Sequence, residues 1–197
     1  MASATKAAKA RMWPPRRMIA GAANGASFAL SPLFAVDVGM KPDEAPLFTS
    51  AIVVGSALGV FPIGALSDRV DRRLIMAAAM IGGAACEVIL SRLTGPGPWL
   101  IGLGFLVGLM TYSLYTLAVS LANDGASPHD MIFISVGLLF VYCVAAIAAP
   151  AIASLLMKSF GPRALFLQNA YVHLAIAALA LWLRVSERGK RPLWLRT

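Results

Sequence analysis

The chain has 197 residues, 59% apolar and only 13% charged, and a mean hydropathy of +0.76. A water-soluble domain carries about 25% charged residues, so the polar surface is too small for a water-facing globule, and lipid is the solvent that suits it. The net charge of +8 does not point to nucleic acid, because the Lys and Arg residues fall between long apolar stretches rather than along one face.

Six apolar stretches follow one another, at residues 18–36, 45–66, 74–93, 98–121, 131–157 and 163–185. Each approaches the ~20 residues that cross a hydrocarbon core at about 1.5 Å per residue. Helices of this length satisfy every backbone group inside lipid. A barrel would need alternating segments of about ten residues, and the chain has no such pattern. The expected fold is therefore all-α and integral to the membrane, with six transmembrane helices.

The breaks between stretches carry end signals. Asp43 and Glu44 place acids before the second helix, where the dipole favours them. Ser127 and Pro128 read as a cap and a first helical residue. Gly95-Pro96-Gly97-Pro98 and Gly161-Pro162 read as tight turns. Such short links predict antiparallel neighbours for sequential helices.

Basic residues set the orientation. Thirteen of the 17 lie on one side. They are Lys6, Lys9, Arg11, Arg16 and Arg17, then Arg69, Arg72 and Arg73, then Arg184, Arg188, Lys190, Arg191 and Arg196. Lys41, Arg92, Lys158 and Arg163 lie opposite. The positive-inside rule puts both termini in the cytoplasm of a bacterial inner membrane protein. Residues 1–17 read as a basic cytoplasmic tail or former linker, 18–185 as the six-helix bundle and 186–197 as a basic cytoplasmic C-terminal tail. A cleaved signal peptide does not fit, since the first apolar stretch is too long.

Three small-xxx-small pairs, Gly21/Gly25, Gly55/Gly59 and Gly104/Gly108, allow close helix approach, and two of the three are credited to packing. Cys86 and Cys143 lie within apolar stretches and read as packing residues. Pro62 and Pro150 fall late in the second and fifth stretches, corresponding places if the bundle is built from two three-helix inverted repeats. With His129 and His173 as the only histidines and no Gly-x-Ser-x-Gly, no enzyme, metal site or cofactor is expected.

The loop after the second stretch reads Gly64, Ala65, Leu66, Ser67, Asp68, Arg69, Val70, Asp71, Arg72, Arg73. It resembles the cytoplasmic loop signature of the major facilitator superfamily, G-x-L-[AS]-D-R-x-G-R-R, at the matching place in a six-helix half. Asp71 stands where glycine is usual. The segment from Tyr115 to Asp124 is similar to the end of the tenth helix of poorly characterised bacterial members. The segment from Gly137 to Ala149-Pro150 is similar to their eleventh. The resemblance implies helices seven to twelve of such a transporter. It also implies a conformational gate formed by Gly64, Asp68, Arg69, Asp71, Arg72 and Arg73, with Asp68 latching through the arginines.

The first and fourth helices of each half line the cavity in that family. The resemblance thus nominates Asn24, Ser27, Ser31, Thr111, Tyr112, Ser113 and Tyr115 as lining, with Asn24 and Tyr112 foremost. Glu87 is an acid inside an apolar stretch, a candidate for a proton site or a structural pair. It is expected near the far interface, where Arg92 follows five residues on. His173 reads as a satisfied core or interface residue, and Asp37 as a rim charge.

The implied function is half of a secondary transporter of a small solute by alternating access. Its partners would be the lipid bilayer, the solute and a second six-helix half, either a homodimer copy or a separate N-terminal half, with no nucleic acid. The alternative is a truncated or non-transporting membrane protein that keeps the fold.

Overall fold

The computed structural model describes residues 15–123 and 126–188. The tails expected at 1–17 and 186–197 lie mostly outside the described residues. All regular structure within the described residues is helical. In chain order the elements are α1 (Pro15–Asp37), α2 (Ala45–Arg69), α3 (Arg72–Arg92), α4 (Pro98–Thr111), α5 (Leu114–Asn123), α6 (Pro128–Phe160) and α7 (Ala164–Arg188). Five spans are long and apolar enough to cross a membrane: α2, α3, α4 with α5, α6 and α7. α1 adds 23 residues, roughly 34 Å of helix. Its described part begins at Pro15 and includes Arg16 and Arg17.

Local chemistry sets the ends. Ser127 sits in extended backbone and its side chain accepts from the Asp130 amide at 3.2 Å, with Pro128 next, as the spacing predicts. Asp71 does the same for α3, accepting from the Arg73 amide at 3.0 Å. Each such cap contributes about 1 kcal/mol. Gly161 closes α6 at φ 83° while its amide donates to the Met157 carbonyl at 2.8 Å.

The fourth stretch, expected as one helix, is two. The chain turns at Tyr112 and Ser113 between α4 and α5. Thr111 Oγ1 donates to the Val107 carbonyl at 2.8 Å and Ser113 Oγ to that of Met110 at 3.2 Å. Hydroxyls bonded back onto the preceding turn bend helices. Tyr112 then anchors the turn by donating its hydroxyl to the Asn24 carbonyl of α1 at 3.1 Å.

Sequential helices are not the closest neighbours, contrary to the expectation from short links. The tightest pairs are α2 with α4, α1 with α6 and α3 with α7. Glycine explains the first. A Cβ added to Gly55 or Gly59 would collide with the Phe105 or Leu109 carbonyl, and one at Gly108 with the Ile52 carbonyl. These two glycine pairs therefore face each other and let the backbones touch. Contacts progress from Phe48 on Gly104 to Gly59 on Leu109, so the two helices run parallel. Gly25 meets the Ala146 backbone of α6 in the same way, while Gly21 lies outside the described side chains.

One core cluster joins Phe34, Phe48 and Phe166 from α1, α2 and α7. Phe34 and Phe166 meet edge to face at 4.6 Å, a geometry worth ~0.5–1.5 kcal/mol beyond burial. A second cluster packs Met76 and Met80 of α3 against Ile176, Ala177 and Ala180 of α7. Cys86 packs on the first cluster, but Cys143 is exposed on α6, so only one cysteine fills the bundle. α6 buries the smallest share of its surface and α2 the next smallest. Phe61 is 76% exposed, Phe140 69% and Ile147 79%.

Candidate functional site

The loop from α2 to α3 is a two-residue turn, Val70 and Asp71, between helices that end and begin in arginine. Asp68, 70% exposed, accepts from Arg72 Nη2 at 3.2 Å across this turn. The larger share of the structure falls to Asp71, the residue that departs from the resembled motif. Its carboxylate caps α3 and also accepts from Arg184 Nε of α7 at 3.0 Å. Partial burial pushes the Asp71 carboxyl up, but the Arg73 amide and the Arg184 guanidinium outweigh it and hold the group below the usual carboxylate range. Arg69 is exposed at the end of α2. Arg184, read from sequence only as a topogenic charge, is thus a member of this cluster.

Beside the turn lies a cleft of about 190 Å³ between α2 and α5. Gly64, Ser67 and Asp68 form one wall, and Ser113, Thr116 and Ser120 line the other. A Cβ at Gly64 would meet nothing within 4 Å, so here the glycine opens space rather than admitting a close backbone.

Of the residues nominated to line a cavity, Asn24, Tyr112 and Tyr115 come together. Tyr112 bonds the Asn24 main chain, and the Tyr115 ring meets that of Tyr142 of α6 at 5.3 Å, tilted by 60°. Tyr142 lies against Asn24 and was not singled out from the sequence. Its spacing from the other polar residues carries no signal until α1 and α6 are known to pair. Asn24 is buried, and neither polar atom of its carboxamide has a geometrically satisfactory hydrogen-bond partner.

The other nominees face the bundle interior. Thr111 is buried with its methyl toward Gly83 of α3, and Ser113 bonds its own helix. Ser27 accepts from Asn169 Nδ2 of α7 at 2.6 Å. Ser31 and Thr49 hydroxyls join α1 to α2 at 2.8 Å. These are helix contacts of the kind membrane bundles use.

Glu87 forms a pair, one of the two roles read for it from the sequence, and its partner is not the nearby Arg92. It is 0% exposed, and its Oε2 lies 2.8 Å from Nδ1 of His173, which is 1% exposed. The buried His173 thus finds its partner in Glu87, a link that the sequence did not show. Among the described residues no group of acids, histidines and cysteines could hold a metal.

Long apolar helices, packed through glycine and buried polar contacts and joined by an arginine-rich turn, define a multi-pass membrane protein. The chain belongs to the major facilitator superfamily, whose family profile, Major Facilitator Superfamily, matches residues 17–194. This is a family of transporters. Among curated relatives, an uncharacterized MFS-type transporter of Yersinia enterocolitica is 26% identical over 176 residues, 89% of this chain and 44% of the relative. The uncharacterized MFS-type transporter YcaD of Salmonella arizonae is 24% identical over 95% of this chain and 47% of its own. YcaD of Escherichia coli is 25% identical over 96% and 48%. The chain thus spans about half the length of the curated relatives it matches. No solved structure matches it significantly.

Proposed function

We propose that the chain is one half of a secondary transporter that moves a small solute by alternating access, together with a second six-helix half. The carrying observation is the uncovered face of α2 and α6. These are the second and fifth spans, and Phe61, Phe140 and Ile147 on them are largely uncovered by this chain. Coverage of 44% to 48% of the relatives supports the same reading, because a cavity needs a second wall to rock against.

α1 supplies the sixth span in this reading. The helix pairing supports two inverted three-helix repeats. Exchanging spans one, two and three for four, five and six turns the α1·α6 pair into the α4·α2 pair and leaves α3·α7 unchanged. The turn carrying Asp68 and Asp71 faces the cytoplasm, as the basic residues demand, and acts as the gate. Asn24, Tyr112, Tyr115 and Tyr142 present the polar and aromatic groups toward the solute path.

Photo-crosslinking tests the proposal. A benzophenone side chain at position 61 or 147, in the full chain in its native membrane, should capture a six-helix polypeptide, either a second copy or a separate half. Uptake by proteoliposomes holding the chain together with the captured polypeptide, not crosslinked, should then exceed that of the lone chain. Capture of lipid alone at both positions would refute a second half.

A further inference from the structure

The Glu87–His173 pair is the most deeply buried ionisable feature among the described residues, and the contacts above leave it without a stated task. It joins α3 to α7 through one contact, Nδ1 to Oε2 at 2.8 Å. The outer atoms, Glu87 Oε1 and His173 Nε2, are also buried and have no hydrogen-bond partner. A pair that served only to tie two helices would bring nothing to those atoms, and burying them unpaired is costly.

More polar groups continue from it. Asn169 lies one turn before His173 on α7, is fully buried and keeps its Oδ1 unpartnered while Nδ2 binds Ser27. Ser27 lies one turn from Asn24, whose carboxamide lies against Tyr142 and whose carbonyl holds Tyr112. A seam of buried polar groups thus runs from Glu87 to the tyrosine cluster at the α4–α5 turn.

We propose that Glu87 and His173 form a proton-binding site, and that this seam is the path by which its proton exchanges. One proton suits the pair. Carboxylate facing imidazolium and carboxylic acid facing neutral imidazole carry the same net charge of zero. Release passes the proton from the pair to a water at Oε1 or Nε2 and leaves carboxylate with neutral imidazole, one net negative charge. Uptake reverses the step. Either departure from one proton leaves net charge inside apolar surroundings, so exchange needs water or solute to enter the seam.

The neighbours do not supply a competing counter-charge. His173 faces Glu87 from α7, Tyr112 from the end of α4 and Cys86 from α3 itself. α1 presents Asn24, Ser27 and Ser31, which do not titrate. α2 between Ala45 and Ser67, and α4 throughout, hold no ionisable side chain. α5 has Tyr115 and α6 has Tyr142, whose rings meet at a tilt. The Asp71–Arg184 bond lies eleven residues from His173, roughly 16 Å along α7. That the proton drives solute movement rests on the transport reading above; the site itself does not.

Proton counting on the purified full chain in lipid nanodiscs tests it. Wild type and Glu87→Gln, which keeps an acceptor for the imidazole N–H, are titrated over the pH range in which circular dichroism shows constant helicity. Wild type should exchange one more reversible proton per chain than the variant. A parallel measurement needs no variant. Nitrogen-15 labelled histidine gives ring signals from two residues, exposed His129 and His173, and those of His173 should change protonation with pH while helicity holds. Identical proton counts, or a His173 signal that stays constant until helicity is lost, would show a purely structural tie and overturn the proposal. Both results concern proton occupancy alone, so they leave the crosslinking and uptake test of the transporter half standing.

Discussion

The α2·α4 contact offers a quantitative test of how this bundle coheres. In lipid the hydrophobic effect adds nothing to helix association, so close backbone packing must carry it. Gly108→Ala would place a methyl against the Ile52 carbonyl, and Gly55→Ala one against that of Phe105. Backbone cannot swing aside as a side chain can, so the helices must separate or tilt. Overpacking of this kind costs ~1–3 kcal/mol, a factor of about 5 to 150 in a folding equilibrium at RT near 0.59 kcal/mol. Alanine also gains up to about 1 kcal/mol of helix propensity over glycine, which offsets part of it. Gly102, on the same α4, has open space where a Cβ would go, and so does Gly137 on α6. Gly102→Ala and Gly137→Ala should therefore be neutral or slightly stabilising. Reversible unfolding in mixed micelles by a denaturing detergent, followed by circular dichroism, reads the four variants side by side. If Gly108→Ala and Gly55→Ala are as stable as Gly102→Ala, the backbone contact is not what joins these helices.

Three further outcomes follow from individual contacts. Asp71 has its folded-state carboxyl lowered, so its bond to Arg184 contributes fully above the ordinary carboxylate range and is lost as pH falls through the lowered value. Asp71→Asn should therefore melt below wild type at neutral pH and converge with it in acid, as differential scanning fluorimetry across pH would record. Tyr112→Phe removes the hydroxyl bond to the Asn24 carbonyl, worth ~0.5–1.5 kcal/mol. Its signature is faster amide exchange confined to the α4–α5 turn, by mass spectrometry. A reporter fused at the Val70–Asp71 turn should read cytoplasmic, and a periplasmic reading would reverse the orientation assigned from the basic residues.

Much of the architecture was visible in the chain because lipid imposes a simple rule. A run of about 20 apolar residues must be a helix, and the boundaries at Ser127–Pro128 and Gly161 carry their own chemistry. The turn inside the fourth span was not visible. It depends on Thr111, Ser113 and Tyr112 acting together, and hydroxyl residues more often leave a membrane helix only bent. The family motif located the loop between α2 and α3 but not its main contact. Asp71 looked like a deviation from glycine, whereas it caps α3 and binds α7, and its partner Arg184 stands 113 residues later. Thr111 was placed in a cavity because its helix lines one in the family. Which face of that helix it occupies is decided by Gly83 opposite, a detail that no single helix contains.

The Glu87–His173 pair shows where such information resides. Glu87 lies 15 residues past Arg72, at the start of α3, and His173 lies 15 residues before Arg188, at the end of α7. Both therefore sit roughly 22 Å from the same arginine-rich end. Depth alone matched them, but the match has meaning only once the third and sixth spans are adjacent and antiparallel. Along α3 itself the nearest charge to Glu87 is Arg92, five residues on. Packing chose His173, because α3 turns Glu87 toward α7 and Arg92 outward. In a chain where ionisable groups inside the apolar stretches are this scarce, depth measured from the basic turns is the criterion that pairs residues across helices. Here it pairs an acid with a base, so the bundle buries both without burying net charge.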